Sequence, residues 1–232
     1  MARGTSLLEL RAMLRGEIGA SPNVAMGVNT INQMDQTLRR VQERLWSDFD
    51  WDFGYIERDE TLHTGQKYYT FDPEIDYDRI VTTHVSFSEI WHPVDYGIGP
   101  NEYNQFDSNR GQATEPVLRW RHYEGNQFEV WPVPTTHNQK LRFKAVKKLA
   151  PLIADTDLAT LDDNLIVLYS AAEFLARSKA EDAQAKLAQA VSHYNRLKGL
   201  GMKRDRFIYG GGIDRNERLR IVGGRFVRDD RI

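Results

Sequence analysis

Apolar residues recur at alternating intervals of three and four near both ends of this chain and at intervals of two through its middle, a change of period that restricts the fold more than any other feature. Near the N-terminus, Leu7, Leu10, Leu14 and Ile18 form a helical stripe. Ser6 stands three residues before Glu9 in a capping-box pattern, and Gly19 and Ser21-Pro22 mark the stop. Asn29 or Thr30 caps a second helix with the stripe Ile31, Met34, Leu38, Val41 and Leu45. Helical spacing returns after Pro151, where Thr160 and Asp163 give a cap signature ahead of Leu161, Leu165, Leu168, Ala172 and Leu175. Ser178 and Glu181 repeat the signature before Ala183, Leu187, Val191, Tyr194 and Leu197, closed by Lys198-Gly199. This reads as two helices split at about Ser178, or as one long helix with Ser178 facing solvent.

Between these ends the composition turns aromatic and β-branched. Strands are expected at 53–61, 66–71, 79–88, 90–95, 117–123, 127–131 and 140–147, with hairpin turns at Thr64-Gly65, Gly125-Asn126 and His137-Asn138. The segment from Tyr96 to Pro116 reads as a loop with a short helical turn around Glu102 to Phe106. Each helical stripe needs other helices to cover it. The expected fold is therefore α+β: a discontinuous four-helix bundle (1–50 and 151–200), an inserted antiparallel β domain (51–150, sandwich or barrel-like) and an extended C-terminal arm (201–232). One of the first two helices should pack on one of the last two.

The arm cannot build a core. Glycines at 199, 201, 210, 211, 212, 223 and 224 separate clusters too short to bury one another, so it should be extended or disordered when alone. Plain linkers rarely carry Phe207, Tyr209, Ile213, Leu219, Ile221 and Phe226 at repeated intervals. Alternation of Arg218, Arg220 and Arg225 with apolar residues suits strand addition to a neighbour, with the arginines docking on carboxylates. Residues 203–232 hold nine basic and five acidic side chains, a net +4 in a chain whose total is −2. A nucleic-acid arm is the rival reading, weakened by those five acids.

Elsewhere the sequence mostly excludes. A pI near 6.3 gives no global attraction to nucleic acid or to an anionic membrane. With no cysteine there are no disulfides or thiolate metal sites. No secretion signal is recognisable, and no stretch approaches the roughly 20 apolar residues of a membrane span, so a soluble chain is expected. The histidines lack metal-ligand spacing, and no P-loop, nucleophile elbow or dinucleotide fingerprint occurs, so no catalytic, cofactor or metal site is expected. Asp48, Asp50 and Asp52 alternate with aromatics, but Phe53 and Asp59 stand where a calcium loop needs glycine and glutamate. From Asp48 to Asp78 there are ten acids and two bases, giving an acidic surface that includes Asp76 and Asp78. Trp91, Trp120 and Trp131 make a carbohydrate-binding or sugar-cleaving protein the enzyme-like alternative, although strand aromatics are more often core.

The order of these parts, with Leu7-Leu8-Glu9-Leu10-Arg11 and Gln42-Glu43-Arg44-Leu45-Trp46 running into Phe49-Asp50-Trp51, resembles the head-to-tail adaptors (tail tubular protein A) of short-tailed bacteriophages. Gly65-Gln66-Lys67-Tyr68-Tyr69, the run from Pro93 to Pro100 and Phe128-Glu129-Val130-Trp131-Pro132 extend the similarity over nearly the whole chain. The resemblance implies a non-enzymatic virion protein of the neck or tail, assembled in the host cytoplasm as a ring of about twelve copies. It also implies that the arm reaches the portal, that the β domain faces the tail nozzle, and that double-stranded DNA passes through without specific binding. In that setting Asp48, Asp50, Asp52, Asp76 and Asp78 would face the nozzle or the channel.

Overall fold

A computed structural model of the chain describes residues 3–20, 28–202, 219–222 and 225–228. The elements run α1 (Leu7–Glu17), α2 (Val28–Ser47), β1 (Tyr55–Thr61), β2 (Tyr68–Thr70), β3 (Ile75–Phe87), β4 (Ile90–Pro93), β5 (Asp95–Tyr96) and α3 (Pro100–Gln105). There follow β6 (Arg119–His122), β7 (Gln127–Trp131), β8 (Lys140–Lys147), α4 (Asp163–Arg177), α5 (Ala183–Met202), β9 (Leu219–Val222) and β10 (Arg225–Arg228). The fold is mixed α+β, with five α-helices and two four-stranded, mainly antiparallel sheets among the described residues.

Local chemistry explains the helix boundaries. Ser6 Oγ accepts from Glu9 N at 3.3 Å while Glu9 Oε2 accepts from Ser6 N at 3.2 Å, so the capping box closes on both sides. Helix α2 starts earlier than expected: Asn29 and Thr30 lie inside it rather than capping it. At α4 the cap is Asp162, whose Oδ1 accepts from Leu165 N at 3.1 Å, and neither Thr160 nor Asp163. Ser178 ends α4 instead of starting α5: its hydroxyl donates to Leu175 O at 3.0 Å, and Lys179 turns the chain at φ 56°. The 161–198 region is therefore two helices, and α5 continues past Gly199 to Met202.

Leu7, Leu10 and Leu14 of α1, Met34, Leu38, Val41 and Leu45 of α2, Leu165 and Ile166 of α4, and Leu197 of α5 share one hydrophobic cluster, which brings the two ends of the chain together. Helix α4 is the hub, packing on α1, α2 and α5. The stripe expected on α5 holds only toward its end, where Leu197 is buried and Tyr194 packs on the helical core. Leu187 and Val191 are 47 % and 40 % exposed, and the helix turns Ala190 and His193 inward in their place. Small Ala190 lets the backbones approach, and His193 Nε2 lies 2.7 Å from Asp162 Oδ1 at the head of α4.

The sheets have the orders β1-β8-β3-β4 and β2-β7-β6-β5, antiparallel except for β5 with β6. Leu62, Val85, Leu141, Phe143 and Ala145 from the first meet Tyr69, Phe71, Trp120, Phe128 and Val130 from the second in one core. The Phe128 and Phe143 rings cross edge to face with centroids 4.9 Å apart. This is an open sandwich; no closed barrel forms. Of the three expected hairpins, only Gly125-Asn126 joins paired strands (β6 and β7). Thr64-Gly65 and His137-Asn138 connect strands of different sheets, because β1 pairs with β8 and β2 with β7. A further hairpin turns at Ser88-Glu89, with φ of 51° and 65°, between β3 and β4.

Leu38→Ala or Leu165→Ala should cost about 2–5 kcal/mol in urea unfolding, because both side chains are fully buried, whereas Leu187→Ala should stay within about 0.5 kcal/mol. Acid unfolding should respond to Asp59, whose carboxylate is held below its ordinary value of 3.8 by the hydrogen bond from Arg142 opposite it in the sheet. A lowered native pKa contributes stability that is present above the ordinary value and lost as pH falls through the native one. Asp59→Asn should therefore flatten the acid limb of a stability-versus-pH curve below about pH 4.

Candidate assembly surfaces

The acidic stretch after α2 is organised by one arginine. Arg79, at the start of β3, reaches back to the exit of α2: its Nη1 donates to Trp46 O at 2.9 Å, its Nη2 to Phe49 O at 3.3 Å and its Nε to Asp50 at 3.1 Å. The last carbonyls of a helix attract a cation, so the bond to Trp46 suits this end of α2. Trp51 and Tyr55 pack beside the clamp on the helical core, and a Cβ on Gly54 would lie 2.9 Å from the Trp46 ring, so the turn at Asp52–Gly54 needs glycine there.

The clamp sorts the five expected aspartates. Asp50 is paired with Arg79. Asp48, Asp52 and Asp78 are exposed and Asp76 is half-buried, and none of these four pairs with a basic side chain among the described residues. Burial first, then the charges of Asp50 and Asp52, push the Tyr55 phenol above its ordinary pKa, with Arg79 opposing. The other acids of the run are mostly neutralised: Asp72 and Glu74 by Arg58, and Glu57 and Asp59 by Arg142.

Two further features carry no obvious sequence signal. A cleft of about 620 Å³ opens between the two sheets beside Tyr77, Asp78, Val81, Asp95, Tyr96 and His122. On the other side of the second sheet, Glu129 is fully buried, with Lys67 Nζ at 3.0 Å and Arg121 Nη2 at 2.6 Å. Tyr103 of α3 donates to the same carboxylate, which ties the 97–116 loop to the sheet. Burial, the largest single influence, pulls the Lys67 ammonium down, but its hydrogen bonds to Glu129 and Tyr68 and the charge of Glu129 together outweigh it and hold it above the ordinary value.

Of the arm residues singled out by sequence, Phe207, Tyr209, Ile213 and Arg218 lie outside the described residues. Leu219, Arg220 and Ile221 fall in β9, and Arg225 and Phe226 in β10. These two strands pair antiparallel, Phe226 opposite Ile221 and Arg225 opposite Val222, so the described part of the arm is a hairpin. Of the tryptophans proposed for sugar stacking, Trp120 and Trp131 are buried in the core. Trp91 is 38 % exposed and is covered on one face by the Arg142 guanidinium, 4.2 Å from the ring centroid. Among the described residues no group of three or more His, Cys, Asp or Glu is placed to hold a metal, and no helix is long and apolar enough to cross a membrane.

Compared with known protein families, residues 5–215 match the family described as SU10 adaptor protein. No curated protein matches the chain.

Because Arg79 bridges the helical and β parts with charge-assisted hydrogen bonds, Arg79→Ala should lower stability by about 1–3 kcal/mol. It should also raise amide exchange between Phe49 and Tyr55. Unchanged exchange there would show that the apolar contacts of Trp51 hold the junction without the clamp.

Proposed function

The chain belongs to the SU10 adaptor protein family, a family of phage structural adaptors, and from that membership we propose a specific division of labour. Copies of the chain assemble into a ring that joins the portal to the tail nozzle in the virion neck and continues the DNA channel. The helical body (1–50 and 151–200) forms the ring, the β domain (51–150) faces the nozzle, and the arm (201–232) docks on the portal. The observation that carries this reading is the extent of the match, which takes in both helical ends, the whole β region and the first part of the arm.

The surfaces suit these roles. An arm that has no core of its own gains its partner's surface on docking, through Phe207, Tyr209, Ile213, Leu219, Ile221 and Phe226, with Arg218, Arg220 and Arg225 available for carboxylates. Asp48, Asp52 and Asp76, free of basic partners among the described residues, give a face that repels phosphate, as a channel for sliding double-stranded DNA requires; Asp78, likewise unpaired, closes the acidic run beside the cleft between the sheets. Asp50, neutralised by Arg79, contributes least. The role is structural rather than enzymatic, and it needs no cofactor.

Deleting residues 203–232 should abolish capture by purified portal rings while leaving the unfolding transition of the body unchanged. Full-affinity capture of the truncated chain would remove the arm from the portal contact.

A further inference from the structure

Two parts of the molecule each lack a partner, and they match. In the first sheet, β4 covers β3 only from His84 to Phe87, and Val94 N adds one more bond to Thr83 O at 2.9 Å. From Ile80 to Thr82, β3 has β8 on one side and no strand on the other among the described residues, and Asp78 lies in the irregular stretch just before it. The second sheet faces this rim with an opening of its own, because β5 covers β6 only at Arg119 and Trp120. Between the rims lies the 620 Å³ cleft. Val81 and Tyr96, which line it, are 51 % and 65 % exposed, and Asp78 and Asp95 have no basic partner among the described residues. A free backbone edge, two unpaired carboxylates and exposed tyrosines are the counterpart of an extended segment that alternates arginine with apolar residues. Guanidinium both bonds carboxylate in a fork and stacks on aromatic faces.

The chain carries such a segment. Residues 218–228 hold four arginines and no acid. Strands β9 and β10 pair with each other and join neither four-stranded sheet, so each has an unpaired outer edge among the described residues, and a lone two-stranded hairpin is marginal in water. We propose that the arm hairpin of one copy adds as a strand to the open β3 edge of a second copy, its arginines seated on Asp78 and Asp95. The occupant is a second copy because, within one chain, the hairpin forms a separate sheet. The irregular register of β3 between Ile80 and Thr82 blunts this rim against edge pairing in general, so the arginine–carboxylate contacts supply the selectivity for the arm. The inference rests on the ring reading and adds to it an arm-mediated link between neighbours. The hairpin's other edge and the residues before it are left for the portal.

The test uses the full-length chain and a fluorescein-labelled peptide of residues 217–229. Anisotropy should show saturable binding, weakened at least about 10-fold in the Asp78→Lys/Asp95→Lys variant, whose unfolding curve should match the parent. Because the chain has no cysteine, mixing full-length Val81→Cys and Ile221→Cys variants under oxidation should give a mixed disulfide dimer that neither forms alone. No peptide binding, or equal binding to the charge-reversed variant, overturns the proposal. So does a chain carrying both cysteines that closes on itself and forms no link between chains, since the occupant is then its own arm. A chain that assembles on the portal but does not bind the peptide loses this inference alone. One that binds the peptide but forms no ring loses the ring reading alone.

Discussion

The relation between the helical body and the β sandwich depends on Arg79. Its guanidinium leaves the first strand of irregular register in the sandwich, bonds the carbonyls of Trp46 and Phe49 at the end of α2, and pairs with Asp50. Apolar contacts alone could hold the two parts together, as Trp51 and Val146 do from the sandwich side. They would not fix the angle as well, because hydrophobic contact is non-directional and a fork of charge-assisted hydrogen bonds is not. The irregularity in β3 is what frees Arg79: the register shifts between Ile75 and Ile80 release the intervening residues from the ladder. The open rim from Ile80 to Thr82 has a different cause, since β4, on the other side of β3, pairs only as far as His84. Clamp and open edge therefore share one stretch of β3 but not one origin.

The period of the apolar pattern was enough to place the elements. Strands β7 and β8 begin and end where alternation does, at 127–131 and 140–147, and α1 follows its capping box. Pairing was not legible. A turn between two alternating runs looks the same whether the strands are neighbours or cross from one sheet to the other. Thr64-Gly65 and His137-Asn138 therefore read as hairpins, although both loops carry the chain between sheets. They lie side by side there, with Gly65 N donating to Pro134 O at 2.9 Å. The hairpin at Ser88-Glu89 was invisible for the opposite reason, since neither residue type advertises a positive φ.

Helix α5 shows a second limit. Leu187 and Val191 fit a helical stripe, and sequence alone assigns the larger apolar residues to the inside. The structure turns that face outward because the contact with α4 is made through Ala190 and through His193 on the Asp162 cap, a polar link between distant positions that no periodicity encodes. The candidate surfaces divide in the same way. The acidic run was legible as composition, but which of its carboxylates are neutralised was not, since Arg79 and Arg142 lie outside it and arrive by folding.

That sorting of charge bears on how copies can meet. The arm carries +4 and the rest of the chain −6, and the net −2 hides both. If the arm met its complement on its own chain, the charges would cancel within a monomer and nothing would drive assembly. Keeping the arginine-bearing hairpin separate from the sheet rim that could accept it leaves two different, mutually complementary surfaces on each copy. Surfaces of that kind associate head to tail, and the geometry of rotation between copies decides whether the result closes into a ring or runs on as a filament. In the proposed ring, the junction held by Arg79 would set that rotation, since it ties the start of β3 to the exit of α2.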